Sequence, residues 1–350
     1  MRRLSPVGGT LPAGPIPTDA LGAVTPSDLS VVICAYTLDR WDDIARAVAS
    51  IEGQSSPVRE VILVVDYNEA LLRRATESFP RVQVVANADT RGLSGARNTG
   101  VAHANGAVVA FLDDDAAADP DWASHLAAGY AEPEVLGVGG YAEAEWLEER
   151  PTWFPAEFNW VIGCSYVGLP TELKQIRNMI GANMSLRRVV FDVVGGFDAR
   201  VGRVGTVPVG CEETELCIRA VARWPGSRIV YQPLARVRHH VPPGRGTWHY
   251  FRTRCFADGR SKALVTRLAG ATAGLSSERA YVRRTLPAGF FRGLRDAVVG
   301  RGGAPLARSG AIVAGLAFTT AGYVHGMLFD RAANIIEPVP QPISSEGAGD

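Results

Sequence analysis

Residues 107–115 read AVVAFLDDD, so a continuous apolar run leads directly into three carboxylates. An apolar run of this length is expected of a strand that is buried on both faces of a sheet. Asp113, Asp114 and Asp115 repel one another unless a cation neutralises them. Carboxylate oxygens suit Mg²⁺ or Mn²⁺. The stretch therefore predicts a central strand with a divalent metal site at its end; the alternative is a solvated acidic turn that caps the next helix.

Strand and helix patterns alternate on both sides of this stretch. Such alternation, with helices of about ten residues, predicts an α/β fold with a Rossmann-like, mostly parallel, doubly wound sheet. In these sheets ligands bind at the carboxyl ends of the strands. The predicted strands are Leu29–Tyr36, Glu60–Val65, Val82–Ala86, Ala107–Leu112 and Val135–Gly140, and the predicted helices are Asp39–Glu52, Glu69–Phe79, Leu93–Ala104 and Asp121–Tyr130.

Composition excludes several classes of protein. The 350 residues include 36 Lys or Arg and 36 Asp or Glu, so the formal net charge is zero. A neutral chain has no overall field that attracts nucleic acid, and we expect no nucleic-acid partner. A hydrophobic content of 47% excludes disorder of the whole chain. The five cysteines are scattered without a Cys-x-x-Cys pair, which favours reduced thiols and a cytoplasmic protein.

The ends of the chain differ from its centre. Residues 1–28 are rich in proline and glycine and are predicted to form a disordered leader, without the apolar run of a signal peptide. Residues 337–350 are predicted to form a loose tail. Residues 29–245 are predicted to form the α/β domain. Residues 246–336 are predicted to form a basic and aromatic helical extension.

The helical extension has features of membrane-associated helices. Residues 246–308 contain 12 Lys or Arg against 3 Asp or Glu, interleaved with aromatic residues, which suits an anionic membrane surface. Gly310–Phe329 contains no Asp, Glu, Lys or Arg, so its length would allow a bilayer span. Its glycine and alanine content leaves two alternatives open, an interfacial or re-entrant helix and a buried helix of a soluble protein.

Further candidate site residues lie outside the acidic stretch. Asp66 follows the second strand and would accept a hydrogen bond from a base or ribose, or serve only as a turn residue. Arg97 follows a glycine-rich loop and suits a phosphate. Glu212 and Glu213 are either a general base or partners of a helix dipole. His239 is either a metal ligand or a structural histidine.

The segment 141–180 is rich in aromatic side chains. Aromatic rings stack on sugar faces, so the segment is either part of an acceptor site or a core-packing segment. The residues concerned are Trp146, Trp153, Phe154, Phe158, Trp160 and Tyr166.

The ordered motifs between Leu29 and His240 resemble those of family 2 glycosyltransferases. They are SVVICAY, the strand that ends before Asp66, RGLSGARNTG, FLDDDAAADPDW, IGANMSLRR, GGFD, EETELCIR and Val-x-His at 237–239. The resemblance implies that residues 29–245 form a nucleotide-sugar-binding and catalytic domain with a glycosyltransferase A-type (GT-A) fold. It further implies transfer of a sugar from a nucleotide-sugar donor, usually with inversion, using Mn²⁺ or Mg²⁺.

The resemblance also implies roles for individual residues. Glu213 would be the base, although it stands where the family usually has Asp, so Glu212 would also be able to reach. The second acid of the family's usual nucleobase-contact motif is replaced by Tyr67. The donor-binding positions are Ala35, Tyr36, Asp66, Arg97 and Asp113, and the metal positions are Asp113, Asp115 and His239.

These implications define the function that we expect. The acceptor would be a hydroxyl of a saccharide or of a polyprenyl-linked saccharide, in cell-surface glycan or glycolipid assembly. The enzyme would be cytoplasmic, or attached peripherally or integrally to the cytoplasmic face of the membrane. The alternatives are a non-catalytic scaffold that binds nucleotide sugars or glycans, and a sugar nucleotidyltransferase.

Overall fold

The computed structural model describes residues 14–17, 22–199, 210–269, 276–300 and 302–330. Within these residues, nine strands form one sheet in the order β3-β2-β1-β4-β8-β6-β9-β5, with β7 paired to β9. The strands are β1 Leu29–Ala35, β2 Glu60–Val65, β3 Gln83–Ala86, β4 Val108–Asp113, β5 Ala116–Ala118, β6 Val135–Trp146, β7 Lys174–Ile176, β8 Asn183–Arg187 and β9 Arg228–Val241.

The helices alternate with the strands and continue past the sheet. A π-helical turn, Tyr281–Thr285, joins α8 to α9. The helices are α1 Trp41–Glu52, α2 Glu69–Ser78, α3 Leu93–His103, α4 Trp122–Ala128, α5 Arg188–Val194, α6 Glu212–Arg223, α7 Trp248–Ala269, α8 Ser276–Ala280, α9 Leu286–Val298 and α10 Ala304–Phe329.

The first four strands along the sheet are parallel, as the sequence predicts. β1 lies between β2 and β4, and its register places Cys34 beside Asp113. This register brings the carboxyl ends of β1, β2 and β4 to one edge. Beyond β4 the sheet is mixed, because β8 runs antiparallel to both β4 and β6, and β5 and β7 run antiparallel to β9. The α/β class with a C-terminal helical extension is confirmed.

Two apolar layers cover the faces of the sheet. One layer contains the inward residues of α1, α2 and α4, such as Ile44, Leu71 and Trp122. The other contains residues of α3, α5 and α6, such as Val101 and Leu216. The central strands are buried between these layers, which explains their unbroken apolar sequences.

The C-terminal helices share a third apolar cluster with the aromatic segment predicted at 141–180. Phe154 and Phe158 are buried there against Phe251 of α7, and Leu286 and Ile312 complete the contact with α9 and α10. This part of the aromatic segment packs in the core. Trp160 and Tyr166 instead line a large cavity.

The predicted leader and tail are only partly covered by the described residues. Residues 14–17 lie against the end of α6, where Trp224 donates a hydrogen bond to the carbonyl of Pro15. Pro26–Asp28 forms a short 3₁₀ helix immediately before β1. The rest of the leader, 1–13 and 18–21, and the whole tail 337–350 lie outside the described residues.

Helices α7 and α10 approach closely at glycines. A Cβ atom added to Gly322 would lie 1.9 Å from the carbonyl oxygen of Phe256, and one added to Gly259 would lie 2.0 Å from that of Thr319. Both clashes involve backbone atoms, which side-chain rotation does not relieve. Glycine at these positions therefore sets the distance between the two helices.

We expect Gly322→Ala to destabilise the protein by about 1–3 kcal/mol, because the methyl group forces α10 away from α7. Gly310→Ala in the same helix is the matched control, since nothing lies within 4 Å of its Cβ position. The control should be neutral or stabilising by up to about 1 kcal/mol through helix propensity. Urea unfolding of both variants measures the difference, and equal stabilities would contradict the proposed packing constraint.

Candidate active site

A cavity of about 1420 Å³ opens at the carboxyl ends of the central strands. Its walls come from the sheet, from the loop before α6 and from the C-terminal helices. All nine site residues predicted from the sequence line this one cavity: Ala35, Tyr36, Asp66, Arg97, Asp113, Asp115, Glu212, Glu213 and His239.

Asp113, Asp115 and His239 converge at the end of β4. Their ligand atoms all lie within 4.8 Å of one another. The pairing of β5 with β9 places Ala116 opposite His239, and this register brings the imidazole next to Asp115. His239 Nε2 lies 3.1 Å from Asp115 Oδ1, and its Nδ1 lies 3.5 Å from Cys164 Sγ. Two carboxylates and an imidazole are suitable ligands for Mn²⁺ or Mg²⁺.

Two arginines that the sequence analysis missed neutralise the acidic cluster. Arg40, just before α1, lies 2.8 Å from Asp114 and 3.3 Å from Asp115. Arg245, in the turn after β9, lies 3.0 Å from Asp115 Oδ2. No local motif marks either residue, because each meets its partner only through the fold.

The surroundings of Asp114 and Asp115 shift the pKa values of these two carboxyl groups in opposite directions. Burial raises the pKa of Asp115, but His239, Arg245 and Arg40 outweigh that effect and hold the pKa below its usual range. Burial and the charge of Asp115 raise the pKa of Asp114 to about 7 despite Arg40. Asp115 is therefore the carboxylate that the site keeps ionised.

Arg97 is buried at the base of the cavity. Its guanidinium lies 2.7 Å from Glu212 Oε1 and 3.5 Å from Asp113 Oδ1, and it donates a hydrogen bond to the carbonyl of Gly181. The rings of Phe111 and Phe197 pack against it. Arg97 therefore connects two of the predicted site carboxylates, beyond the diphosphate contact that the resemblance implies.

The two glutamates at the start of α6 occupy different environments. Glu212 is buried and engaged by Arg97, whereas Glu213 is partly exposed to the cavity. Burial and the adjacent charge of Glu212 raise the pKa of Glu213 to about 8. Cys211, immediately before them, has a φ of +76°, a left-handed conformation that turns the chain sharply into the helix. Glu213 is thus the better placed proton acceptor.

Asp66 organises the glycine-rich loop. One of its carboxylate oxygens accepts a hydrogen bond from the side chain of Asn87 at 2.7 Å, and the other accepts one from the backbone N–H of Gly92 at 3.0 Å. Tyr67, which follows it, is exposed and has a φ of +50°. Each carboxylate oxygen of Asp66 retains a further lone pair for a ligand.

The C-terminal helices form another wall of the cavity. Tyr250, Arg254, Asp258 and Lys262 of α7 lie four residues apart and line the cavity on one helix face. This i, i+4 spacing is visible in the sequence, but only once the helix and its orientation are known. Lys262 pairs with Asp258 and lies 5.3 Å from the ring of Trp160.

A second ion pair closes this wall. Arg177 forms a two-pronged contact with Glu278 of α8, with distances of 2.6 and 3.0 Å. Glu278 also lies 3.7 Å from Lys262. The part of the chain before residue 246 and the helical extension are therefore joined by the Arg177–Glu278 ion pair within the cavity itself.

Known proteins are similar to this chain in sequence. Residues 30–195 match the family model described as glycosyl transferase family 2. The chain is 33% identical over 316 residues to a glucosyl-dolichyl phosphate glucuronosyltransferase of Haloferax volcanii, covering 88% of this chain and 98% of that protein. It is also 36% identical over 98 residues to the succinoglycan biosynthesis protein ExoO of Rhizobium meliloti, which covers 27% of each chain.

A solved structure shows the same fold. The mannosyltransferase PcManGT of Pyrobaculum calidifontis, determined with GDP-Man and Mn²⁺, superposes with a TM-score of 0.55 at 18% identity, over 88% of this chain and 90% of that one. The predicted GT-A fold and glycosyltransferase class are confirmed. The Haloferax volcanii relative is 33% identical to this chain over 98% of its own length, and a family model matches residues 30–195. The chain therefore belongs to the family 2 glycosyltransferases.

Proposed function

We propose that this glycosyltransferase uses a nucleotide-sugar donor and a divalent metal ion, and transfers the sugar with inversion to a hydroxyl of a lipid-linked saccharide. The observation that carries the proposal is the convergence of Asp113, Asp115, His239 and Glu213 on one cavity. The ligand set fits Mn²⁺ or Mg²⁺, because two carboxylates and an imidazole bring their ligand atoms within 4.8 Å of one another.

The donor would occupy the edge of the sheet. Asp66 and the exposed ring of Tyr36 stand at the ends of β2 and β1, where the nucleoside would lie. Ala35 and Asp113 line the same edge. A bound metal ion would supply positive charge to the diphosphate.

Glu213 would act as the general base. Its carboxylate takes the proton of the acceptor hydroxyl while that oxygen attacks the anomeric carbon, and the bond between that carbon and the diphosphate oxygen breaks on the opposite face. The electron pair of that bond leaves with the nucleoside diphosphate. A single displacement of this kind inverts the anomeric centre. Arg40 and Arg245, which already lie at the acidic cluster, are placed to stabilise the charge that develops on the leaving group.

The acceptor would approach from the helical wall of the cavity. The Haloferax volcanii relative is named as a glucosyl-dolichyl phosphate glucuronosyltransferase, which supports a lipid-linked acceptor for this chain. The apolar helix α10 lines the same cavity through Leu316, Thr319, Thr320 and Tyr323. A lipid-linked acceptor places the enzyme at a membrane, and we propose the cytoplasmic face.

Removal of Asp115 tests the metal site. We expect Asp115→Ala to weaken Mn²⁺ binding by about 100-fold or more and to abolish metal-dependent release of nucleoside diphosphate from a panel of nucleotide sugars. Asp121→Ala removes the same charge from an exposed position outside the cavity and serves as control. Electron paramagnetic resonance of Mn²⁺ measures binding without turnover. Equal Mn²⁺ affinity in the two variants would remove Asp115 from the metal site.

Separate substitutions at the two glutamates test the assignment of the base. We expect Glu213→Gln to lower kcat by about 10²–10⁴-fold with unchanged donor affinity, because the amide cannot accept the proton. Glu212→Gln should instead lower the melting temperature, because it weakens the buried contact with Arg97. Comparable losses of donor affinity and of kcat in Glu213→Gln would argue for a binding role.

The raised pKa of Glu213 predicts a pH dependence. A base must be deprotonated, so kcat/KM should increase with pH by about tenfold per unit below a pKa of about 8, and level off above it. The profile is best measured with Mg²⁺ from about pH 6 to about pH 9.5, a range that brackets this pKa. Glu213→Gln should show a low, flat profile over that range. An unchanged rise with pH in this variant would assign the titration to another group.

A further inference from the structure

The outer face of α9 is apolar and basic, whereas its inner face is small and polar. The buried positions of the helix are Leu286, Gly289, Gly293 and Asp296. The opposite face carries Phe291, Val298 and Val299, which are 65%, 87% and 62% exposed. A helix on the surface of a soluble protein shows the reverse arrangement, with its apolar stripe turned to the core.

Helix α10 repeats this inversion over its length. Its buried positions include Ile312 and several small residues, of which Ser309 lies against α9 and Gly322 and Gly326 approach α7 closely. Its exposed large side chains lie along one side of the helix at helical spacing, except for Phe329 in the last turn. They are Leu306, Val313, Val324, Met327, Leu328 and Phe329.

We call the exposed apolar residues of α9 and α10 the outer apolar face. Within the described residues, eleven of the eighteen exposed large hydrophobic side chains lie at or beyond Leu268, and nine of these eleven form this face. A concentration of this kind marks an interaction surface. The charges of the neighbouring residues indicate what that surface binds.

The charge around the outer apolar face is positive. From Tyr281 to Phe329 the sequence holds six arginines and one acidic residue, Asp296. Arg283 and Arg284 are exposed before α9, and the side chain of Arg295 on α9 is 71% exposed. Asp296 is buried on the inner face. An apolar face flanked by arginines complements a bilayer with anionic headgroups.

The packing of α10 determines its orientation to that bilayer. Its neighbour α7 lies along it through the contacts at Gly259, Gly322 and Gly326, and α7 carries Asp258, Lys262 and four arginines along its length. A span by α10 would draw these charges into hydrocarbon, at a cost of several kcal/mol.

Two further contacts hold α10 against α7, beside the predicted catalytic domain. Arg260 of α7 pairs with Asp330 at the end of α10 at 2.7 Å, and Arg267 donates to the carbonyl of Gly326. Mid-helix residues, such as Thr319 and Tyr323, line the cavity that contains the acidic cluster. A helix that lines an aqueous catalytic cavity at its midpoint lies beside that domain and not across a membrane.

We propose that the outer apolar face of α9 and α10 binds in the plane of an anionic lipid surface, so that the enzyme is attached to one leaflet without crossing it. The inference deepens the proposed function, because the cavity mouth beside α10 would then face the bilayer from which a lipid-linked acceptor enters. Membrane binding itself requires neither donor nor turnover.

Vesicle flotation of the full chain, without donor or acceptor, tests the proposal. We expect binding to vesicles of phosphatidylcholine and phosphatidylglycerol in equal parts, and at least about tenfold weaker binding to phosphatidylcholine alone. Phe291→Ser and Leu328→Ser should each reduce binding by about tenfold, because each removes a large apolar side chain from the interface. Leu234→Ser, at a 58% exposed position on β9, is the matched control and should bind as the wild type does.

Three results would overturn the proposal. Retention in the membrane fraction after alkaline carbonate extraction would show a spanning helix. Absence of binding to both kinds of vesicle would exclude a lipid surface as the occupant. A dimer by light scattering that Phe291→Ser converts to a monomer would assign the face to a second copy of the chain. Unchanged melting temperatures of the serine variants ensure that lost binding does not reflect unfolding, and lost transfer activity with retained flotation would count against the proposed function alone.

Discussion

The arrangement of the active site depends on the buried guanidinium of Arg97. This side chain, which is 2% exposed, joins the end of β4 to the start of α6 through Asp113 and Glu212. Burial lowers the pKa of Arg97, but the charges of Glu212 and Asp113 raise it by more, so the side chain remains a cation. A buried ionic group of this kind contributes more to a defined geometry than to net stability, and loss of one member leaves the others uncompensated. Because Glu212 is occupied by Arg97, its neighbour Glu213 remains available to the cavity.

The same principle extends to Asp114 and Asp115, each of which meets a cation from a distant part of the chain. Arg40 reaches Asp114 from the segment after β1, and Arg245 reaches Asp115 from the turn after β9. The acidic cluster is therefore formed only when the sheet is complete. A site preorganised in this way needs little rearrangement of its charges when a polyanionic ligand enters.

The sequence predicted most of the sheet edge, because its signals there are local. The strands β1, β2 and β4 are found within one residue of their predicted bounds, and the nine candidate residues do share one cavity. Strand β6 continues to Trp146, six residues beyond its prediction, because its second half pairs with β9 while exposing polar residues. The second half of β6 contains no continuous apolar run, so the sequence does not mark it as a strand. Arg40 and Arg245 lie 74 and 130 residues from their carboxylate partners, a separation that no motif records.

The cavity is shared between the sheet and the C-terminal helices, and this has a consequence for how such enzymes diversify. A cut at residue 245, the boundary between the proposed catalytic domain and its extension, would pass beside Arg245 and remove the wall formed by α7 and α10. The two parts are therefore not interchangeable modules. The glycines of α7 and α10 are fitted to the backbone of the partner helix. Recombination between relatives would therefore keep the donor side of the site and replace the opposite wall only if both helices were exchanged together. New acceptor preferences would then be inherited as a matched pair of helices.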